Sequence, residues 1–317
     1  MIDRWVGDGT VVRVVEQRRQ VAAYGVLRDA GGRVLLTRGA AGSPYPGVWR
    51  VPGGGVAHAE HPADTVVRQF AEETGLTVAA GPIRAALADV AVFAAERVAL
   101  HTDRLIFEVE ARGGRLRPEP AGDNDEVCWF TPDEVAGRPL MPFTADLLGL
   151  PASPLPAAPP RALPAPPAGP TADRRQRFAA YGLVTDSADR VLLTMIADGY
   201  PGAGRWHLPG GGTDHGEQPA AGLLRELVEE AGQVGRVVDL IGVDNLHSPA
   251  ALGPEGRPLN WHGVRVIYRV LVDAPTEAVV TEVAGGSTAR AAWFAPEQLS
   301  SLFLTEVAAR ATGRRVS

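Results

Sequence analysis

Apolar and polar positions along this chain fall into one pattern that occurs twice. Val11-Val12-Arg13-Val14-Val15 and Val21-Ala22-Ala23-Tyr24-Gly25-Val26-Leu27 are runs with the composition of strands. Asp29-Ala30-Gly31-Gly32 supplies turn chemistry, and Arg33-Val34-Leu35-Leu36-Thr37 returns, which predicts a hairpin. The same hairpin pattern lies at 178–194, turned by Asp186-Ser187-Ala188-Asp189. A loop with Gly and Pro follows each time (39–47; 197–204), and Trp49 or Trp206 leads into a run of glycines. A helix is predicted next, with Pro62 or Pro219 near its first turn and Gly75 or Gly232 just past its end. Further strands are predicted at 104–109 and 264–270, then a last strand through Trp129-Phe130 or Trp293-Phe294. Short helices are expected near Thr131-Pro132-Asp133-Glu134 and Ala295-Pro296-Glu297-Gln298.

This recurrence is an internal duplication. Residues 18–76 align with 175–233 at a constant offset of 157 without a gap, and 28 of the 59 positions are identical. A period that long is not a solenoid repeat but two copies of one domain. Nine prolines between Pro151 and Pro170, interleaved with alanine, separate the copies. Such a segment reads as an extended spacer. The expected division is a first domain at 1–150, a linker at 151–172 and a second domain at 173–317.

The second helix carries the chemistry. At about 100° per residue, Glu226, Glu229 and Glu230 share one face, because they sit at i, i+3 and i+4. Three like charges on one stripe repel each other, and a divalent cation among them removes that cost. Carboxylate oxygens suit Mg²⁺ or Mn²⁺, which also reach substrate phosphates. Gly210, in the turn before the helix, permits close backbone approach and offers a carbonyl to the same ion. Arg225 lies four residues before Glu229, where it can orient carboxylates.

Written out, Gly211 is followed by five residues, Glu217, seven residues, Arg225-Glu226-Leu227, one residue, Glu229-Glu230, one residue and Gly232. This resembles the signature of the Nudix hydrolase family, G-x5-E-x7-R-E-U-x-E-E-x-G-U with U apolar. The one departure is Gln233 at the last apolar position. The resemblance implies two α/β/α sandwiches with mixed sheets, and divalent-metal-dependent hydrolysis of a diphosphate linked to some group X. It implies metal ligation by Glu226, Glu229, Glu230 and Gly210. It implies catalysis by Glu226 or Glu229 with Arg225, and support of the loop and helix by Gly211, Glu217 and Gly232.

The first copy reads Gly54-x5-Glu60-x7-Arg68-Gln69-Phe70-x-Glu72-Glu73-x-Gly75, with Gly53 in the matching turn. Gln69 replaces the first Glu of the helix motif. Gln is nearly isosteric but carries no charge and accepts no proton at neutral pH. The family also often places an acidic residue three positions before the tryptophan of the last strand. The first copy has Glu126 there, and the second has Arg290. Glu282 is an alternative late carboxylate in the second copy. The intact box is expected to make the second copy the working site and the first a weak or non-catalytic one.

Composition narrows the remaining choices. A net charge of −6 argues against a nucleic-acid surface, and no apolar run is long enough to span a membrane. One cysteine, Cys128, excludes an intrachain disulfide and, with no apolar signal core at the N-terminus, points to the cytoplasm. A small diphosphate is the expected partner. Tyr200, His207, Asn245, His247, Asn260, Trp261 and His262 are candidates for holding a base or sugar, though ordinary loop chemistry explains the same set. Three readings stay open: a nucleoside di- or triphosphate derivative, a prenyl or secondary-metabolite diphosphate, and nucleotide binding without turnover.

Overall fold

The computed structural model describes residues 2–5, 11–14, 16–120, 122–151, 174–252, 258–281 and 286–314. The proline-rich segment from 152 to 170 and Glu282 lie outside them, as does Val15 of the first predicted strand. The chain forms two compact units: one comprises Met1–Gln176 with Ser248–His262, the other Arg177–His247 with Gly263–Ser317.

In the first unit, β1 (Ile2–Trp5) pairs with β2 (Val11–Val14) as a separate antiparallel ribbon. β3 (Glu16–Leu27) runs between β6 (Gly53–Gly55) and β8 (Val98–Gly114), and β7 (Leu76–Phe93) closes that four-stranded sheet. The β3–β8 pairing is parallel and the others are antiparallel, so the sheet is mixed, as expected. β5 (Trp49–Arg50), β4 (Val34–Gly39) and β9 (Asn124–Phe130) form a three-stranded sheet. Tyr24, Val26, Leu36, Trp49, Ile106, Phe130 and Phe143 share one core, the last from α3 (Pro142–Leu148). α2 (Pro132–Val135) follows β9 and begins with a capping box formed by Thr131 and Glu134.

α1 (Pro62–Thr74) packs on the sheet through Val66, Phe70 and Glu73, spaced i, i+4 and i+7. Gly25 of β3 makes this close approach possible, because a Cβ there would sit 2.6 Å from the Phe70 ring and 3.0 Å from Val66. Burying Val66 and Phe70 stabilises the unit by roughly 1.5–3 kcal/mol each.

The second unit repeats the plan. β10 (Arg174–Asp186), β11 (Val191–Ile196), β12 (Trp206–His207), β13 (Gly210–Gly212), β14 (Arg236–Leu252), β15 (Pro258–Val272) and β16 (Thr288–Phe294) make one seven-stranded sheet. α4 (Pro219–Ala231) buries Leu223, Leu227 and Glu230 at the same spacing, and Gly232 ends it at φ 65°. The expected helix near Pro296 is a 3₁₀ turn, Pro296–Ser301, and α5 (Glu306–Ala311) follows it. The sequence pattern predicts no strand at β7 or β14, the long strands that directly follow each helix, and β8 and β15 extend beyond the predicted 104–109 and 264–270.

Candidate active site

Both glycine turns adopt a backbone that side chains rarely permit. Gly210 has φ 127°, and a Cβ on it would lie 2.3 Å from the Ala180 carbonyl oxygen. Gly53 has φ 144° and the same clash with Ala23. The turn therefore lies flat against the central strand and aims one N–H at the helix. Gly210 N–H donates to Glu230 Oε2 at 2.8 Å, and Gly53 N–H donates to Glu73 Oε2 at 3.1 Å.

The three carboxylates of α4 are not equivalent. Glu230 occupies the inner stripe and is 3% exposed. Its second oxygen accepts the Thr288 hydroxyl from β16 at 2.5 Å, so a buried carboxyl group is held by two donors. Glu226 and Glu229 flank that stripe and meet the same cation: Arg225 Nη1 donates to Glu226 Oε1 at 3.1 Å and to Glu229 Oε2 at 3.0 Å. Arg225 also holds Glu217, through Nε at 3.0 Å and Nη2 at 3.2 Å, and the Gly212 carbonyl oxygen at 3.2 Å. Its guanidinium is held protonated more firmly than usual, first by the hydrogen bond to Glu217. Glu217 in turn accepts the Asp214 N–H at 2.8 Å, fixing the loop.

Among the described residues no three His, Cys, Asp or Glu side chains converge as a ready metal cluster. The donor chemistry nevertheless suits a hard divalent cation, because every candidate atom is oxygen. Two carboxylates already share one cationic point at Arg225 Nη1. The Glu226 carboxylate lies where a Cβ on Gly211 would come within 3.0–3.1 Å, so glycine keeps that cradle open.

The first copy keeps the frame and changes the charges. Arg68 holds Glu60 through Nε at 2.7 Å and Nη2 at 2.8 Å, reaches Glu72 at 3.2 Å, and bonds the Gly55 carbonyl oxygen at 3.2 Å. Burial pushes Glu60 up, but the bonds from Arg68 and Thr65 outweigh it and bring the carboxyl to about 2. The Gln69 amide takes the place of the Glu226 carboxylate over the glycine turn, within 3.0–3.2 Å of a Cβ on Gly54. Burial raises Glu73 to about 7, although Arg50 Nη2 stands 3.6 Å away. Glu126 pairs with Arg38 at 2.7 Å on the rim and accepts a weak bond from Cys128, whose thiol burial pushes up. The residue that meets Glu73 from β9 is Asn124, which has the register position of Thr288 in the second copy.

A cavity of about 420 Å³ opens beside Gly210, Gly211 and Glu230 in the second unit. Tyr200, His207 and Asn245 line it, as the sequence suggested. The His207 ring lies 4.7 Å from that of Tyr181, and its Nδ1 is 2.7 Å from Thr305 Oγ1. Desolvation, aided by nearby Arg265, lowers His207 to about 3, so the ring stays neutral. His247 is exposed on β14 and is not part of this lining. Trp261 and His262 are not brought to it either, and with Asn260 they belong to the first unit. There His262 is fully buried 5.4 Å from the His58 ring, and Asn260 Oδ1 bonds His58 Nε2 at 2.8 Å.

The lining also contains residues that the sequence did not flag: Arg177, Asp244, Arg265, Thr305 and Arg310. Arg265 had a readable signal, a lone charge inside the apolar run Val264-Arg265-Val266-Ile267. Thr305 and Arg310 come from the C-terminal helix region and had none.

The NUDIX domain model matches this chain twice, at residues 18–148 and 175–314. The human protein "Diphosphoinositol polyphosphate phosphohydrolase 3-alpha" is 38% identical over 69 residues, which cover 22% of this chain and 40% of that protein. "Putative 8-oxo-dGTP diphosphatase 3" of Mycobacterium tuberculosis (strain CDC 1551 / Oshkosh) is 33% identical over 144 residues, 43% of this chain and 64% of its own length. The chain thus spans less than two thirds of either relative. The solved MutT NUDIX hydrolase from Burkholderia pseudomallei is 28% identical, covers 44% of this chain and 98% of its own, and superposes with a TM-score of 0.35.

Proposed function

The chain belongs to the Nudix family, with the domain present twice, and from that premise we propose that it is a divalent-metal-dependent pyrophosphohydrolase. We further propose that its second domain does most of the work on a nucleoside di- or triphosphate derivative. The chain reads as domains at 1–150 and 173–317 around the linker at 151–172. The observation that carries the reading is the set around α4: Glu226 and Glu229 sharing Arg225 Nη1, with Glu230 anchored beside an open cavity.

Glu226, Glu229, Glu230 and the Gly210 carbonyl are the groups that would hold the ion, Mg²⁺ or Mn²⁺. Such an ion supplies charge neutralisation for a diphosphate and acidifies water. Arg225 orients Glu226 and Glu229 while anchoring Glu217, which keeps the loop against the helix. Glu226 is the first choice for the group that accepts the proton of the attacking water, and Glu229 the second. Glu230, fixed by Gly210 and Thr288, keeps the inner side of the site rigid.

The two relatives are named for substrates that differ in their organic part and share a diphosphate, which is the element carried over here. The cavity wall favours a nucleotide over a prenyl group. Its Asn245, His207, Arg177 and Arg265 offer polar contacts, where a prenyl chain needs apolar ones. In the first domain, Gln69 and the proximity of Arg50 to Glu73 weaken the metal site, which supports a slow or non-catalytic role.

The test is release of phosphate or of a nucleoside monophosphate in Mg²⁺ across a panel of nucleoside triphosphates and diphosphate derivatives. Glu229→Gln and Glu230→Gln serve as paired variants. Turnover that collapses in both supports the assignment, and turnover retained in both overturns it.

A further inference from the structure

The two copies differ at the wall beside the glycine turn, where the differences concern cations. In the first copy Arg104 is locked: Nε and Nη2 grip Asp89 at 2.5 and 3.0 Å, and Nη1 donates to Tyr24 Oη at 2.6 Å. Its guanidinium lies 4.4 Å from the Phe143 ring centre, and Phe143 packs on Tyr24 at 4.8 Å between centroids. These two rings and the guanidinium occupy the wall.

The corresponding arginine in the second copy is Arg265. Arg104 and Arg265 each lie five residues before the valine that crowds a strand glycine, Val109 at Gly25 and Val270 at Gly182. The position of Phe143 is held by Val307, since both lie three residues after the leucine bridged to the site tryptophan, Leu140 to Trp49 and Leu304 to Trp206. The smaller side chain leaves the cavity of about 420 Å³ that Arg265 lines. Arg265 keeps a looser carboxylate contact, 3.4 Å to Asp244, which it shares with Arg310, and its side chain is 20% exposed against 8% for Arg104.

A second cation appears at the same mouth. Ala22 pairs with Gly55 and Ala179 with Gly212, so Gln20 and Arg177 are equivalent positions. Gln20 is tied to Thr102 at 3.0 Å. Arg177 lies against the box, with its Nη2 only 2.6 Å from where a Cβ on Gly212 would be, and among the described residues it has no ion-pair partner. The carboxylates facing this wall are committed: Asp244 to Arg265 and Arg310, Glu306 to Arg310, and Glu230 to Gly210 and Thr288.

We propose that Arg177 and Arg265 form an anion subsite in the second copy, which holds a phosphoryl group of the substrate outside the carboxylate set of α4. The proposal rests on the hydrolase reading and adds a substrate requirement: at least one phosphoryl group beyond the diphosphate that is cut. Phe143 and Gln20 deny the first copy the same subsite.

The test is calorimetric titration of the full chain with inorganic tripolyphosphate in Mg²⁺, in a Glu229→Gln background that suppresses turnover. Adding Arg177→Ala, Arg265→Ala or Val307→Phe is expected to weaken binding by about tenfold or more each. Arg236→Ala, at an exposed pair with Asp273, is expected to leave it within about twofold. Arg177 is exposed, so its variant keeps the test decisive even where the Arg265 or Val307 variants fold poorly. Binding of tripolyphosphate that is absent in the parent, or unchanged by Arg177→Ala, overturns the subsite. Absence of Mg²⁺-dependent turnover in the parent chain defeats the hydrolase reading instead, and turnover that persists in both Glu229→Gln and Glu230→Gln overturns the assignment of the site at α4, whatever the affinities.

Discussion

Arg225 donates to Glu226 over 3.1 Å, and the matching pair in the first copy, Arg68 and Gln69, has no such bond. Arg68 otherwise makes the same contacts to the loop Glu, the later helix Glu and the glycine carbonyl. The box has therefore kept its scaffold in both copies and its full charge in one.

Replacing that charge should be costly to rate and cheap to fold. Glu226→Gln is expected to lower kcat by about 10²-fold or more, the usual worth of a positioned base. Thermal unfolding should change little, since Arg225 keeps Glu217 and Glu229. In a Glu226→Gln background, Gln69→Glu should restore only a minor part of the lost activity, because Arg50 stays beside Glu73. Steady-state kinetics on the three proteins checks both statements.

Thr288 is expected to matter more than its place on a strand suggests. Thr288→Val removes a 2.5 Å donor from a carboxylate that is 3% exposed. Leaving that oxygen unpaired should cost roughly 1–3 kcal/mol by urea unfolding, and Thr288→Ser should recover most of it.

His207 sets a pH dependence in the second unit. Its pKa is about 3 folded against an ordinary 6.5, so the unfolded chain binds the extra proton. The contribution is complete above 6.5 and is lost as the pH falls through 6.5 toward 3, by about 1.4 kcal/mol per unit within that window. Urea midpoints measured between pH 7 and 5 should fall, and His207→Gln should flatten the slope by one proton.

Glu73 works in the opposite direction in the first unit. Its pKa is about 7 folded against 4.5, so the folded chain holds the proton longer. That contribution is complete below 4.5 and is lost as the pH rises through 7, again by about 1.4 kcal/mol per unit. Glu73→Gln should remove it, which unfolding monitored from pH 5 to 8 will show.

Much of this was legible from residue order alone. Helix ends and glycine turns follow from local chemistry such as Pro219, Gly232 and the strained Gly210, whereas the mixed sheets were expected only from the family resemblance. What was not legible depends on contacts distant in sequence. The stripe of three carboxylates looked uniform, yet Glu230 turns inward because Thr288, 58 residues away, meets it. Trp261 and His262 read as substrate contacts by type, but strand pairing carries them with residues 248–262 into the first unit. Arg177 and Arg265 gained meaning only from the side chains opposite, where valine stands for phenylalanine.

The division of labour between the copies is tested most directly by paired inactivation in the full chain. Mg²⁺-dependent hydrolysis of a responsive nucleotide should be measured for Glu229→Gln/Glu230→Gln and for Glu72→Gln/Glu73→Gln. The account predicts near-complete loss with the first pair and a change within about twofold with the second. Loss with the Glu72 and Glu73 pair, with activity retained in the other, would contradict it.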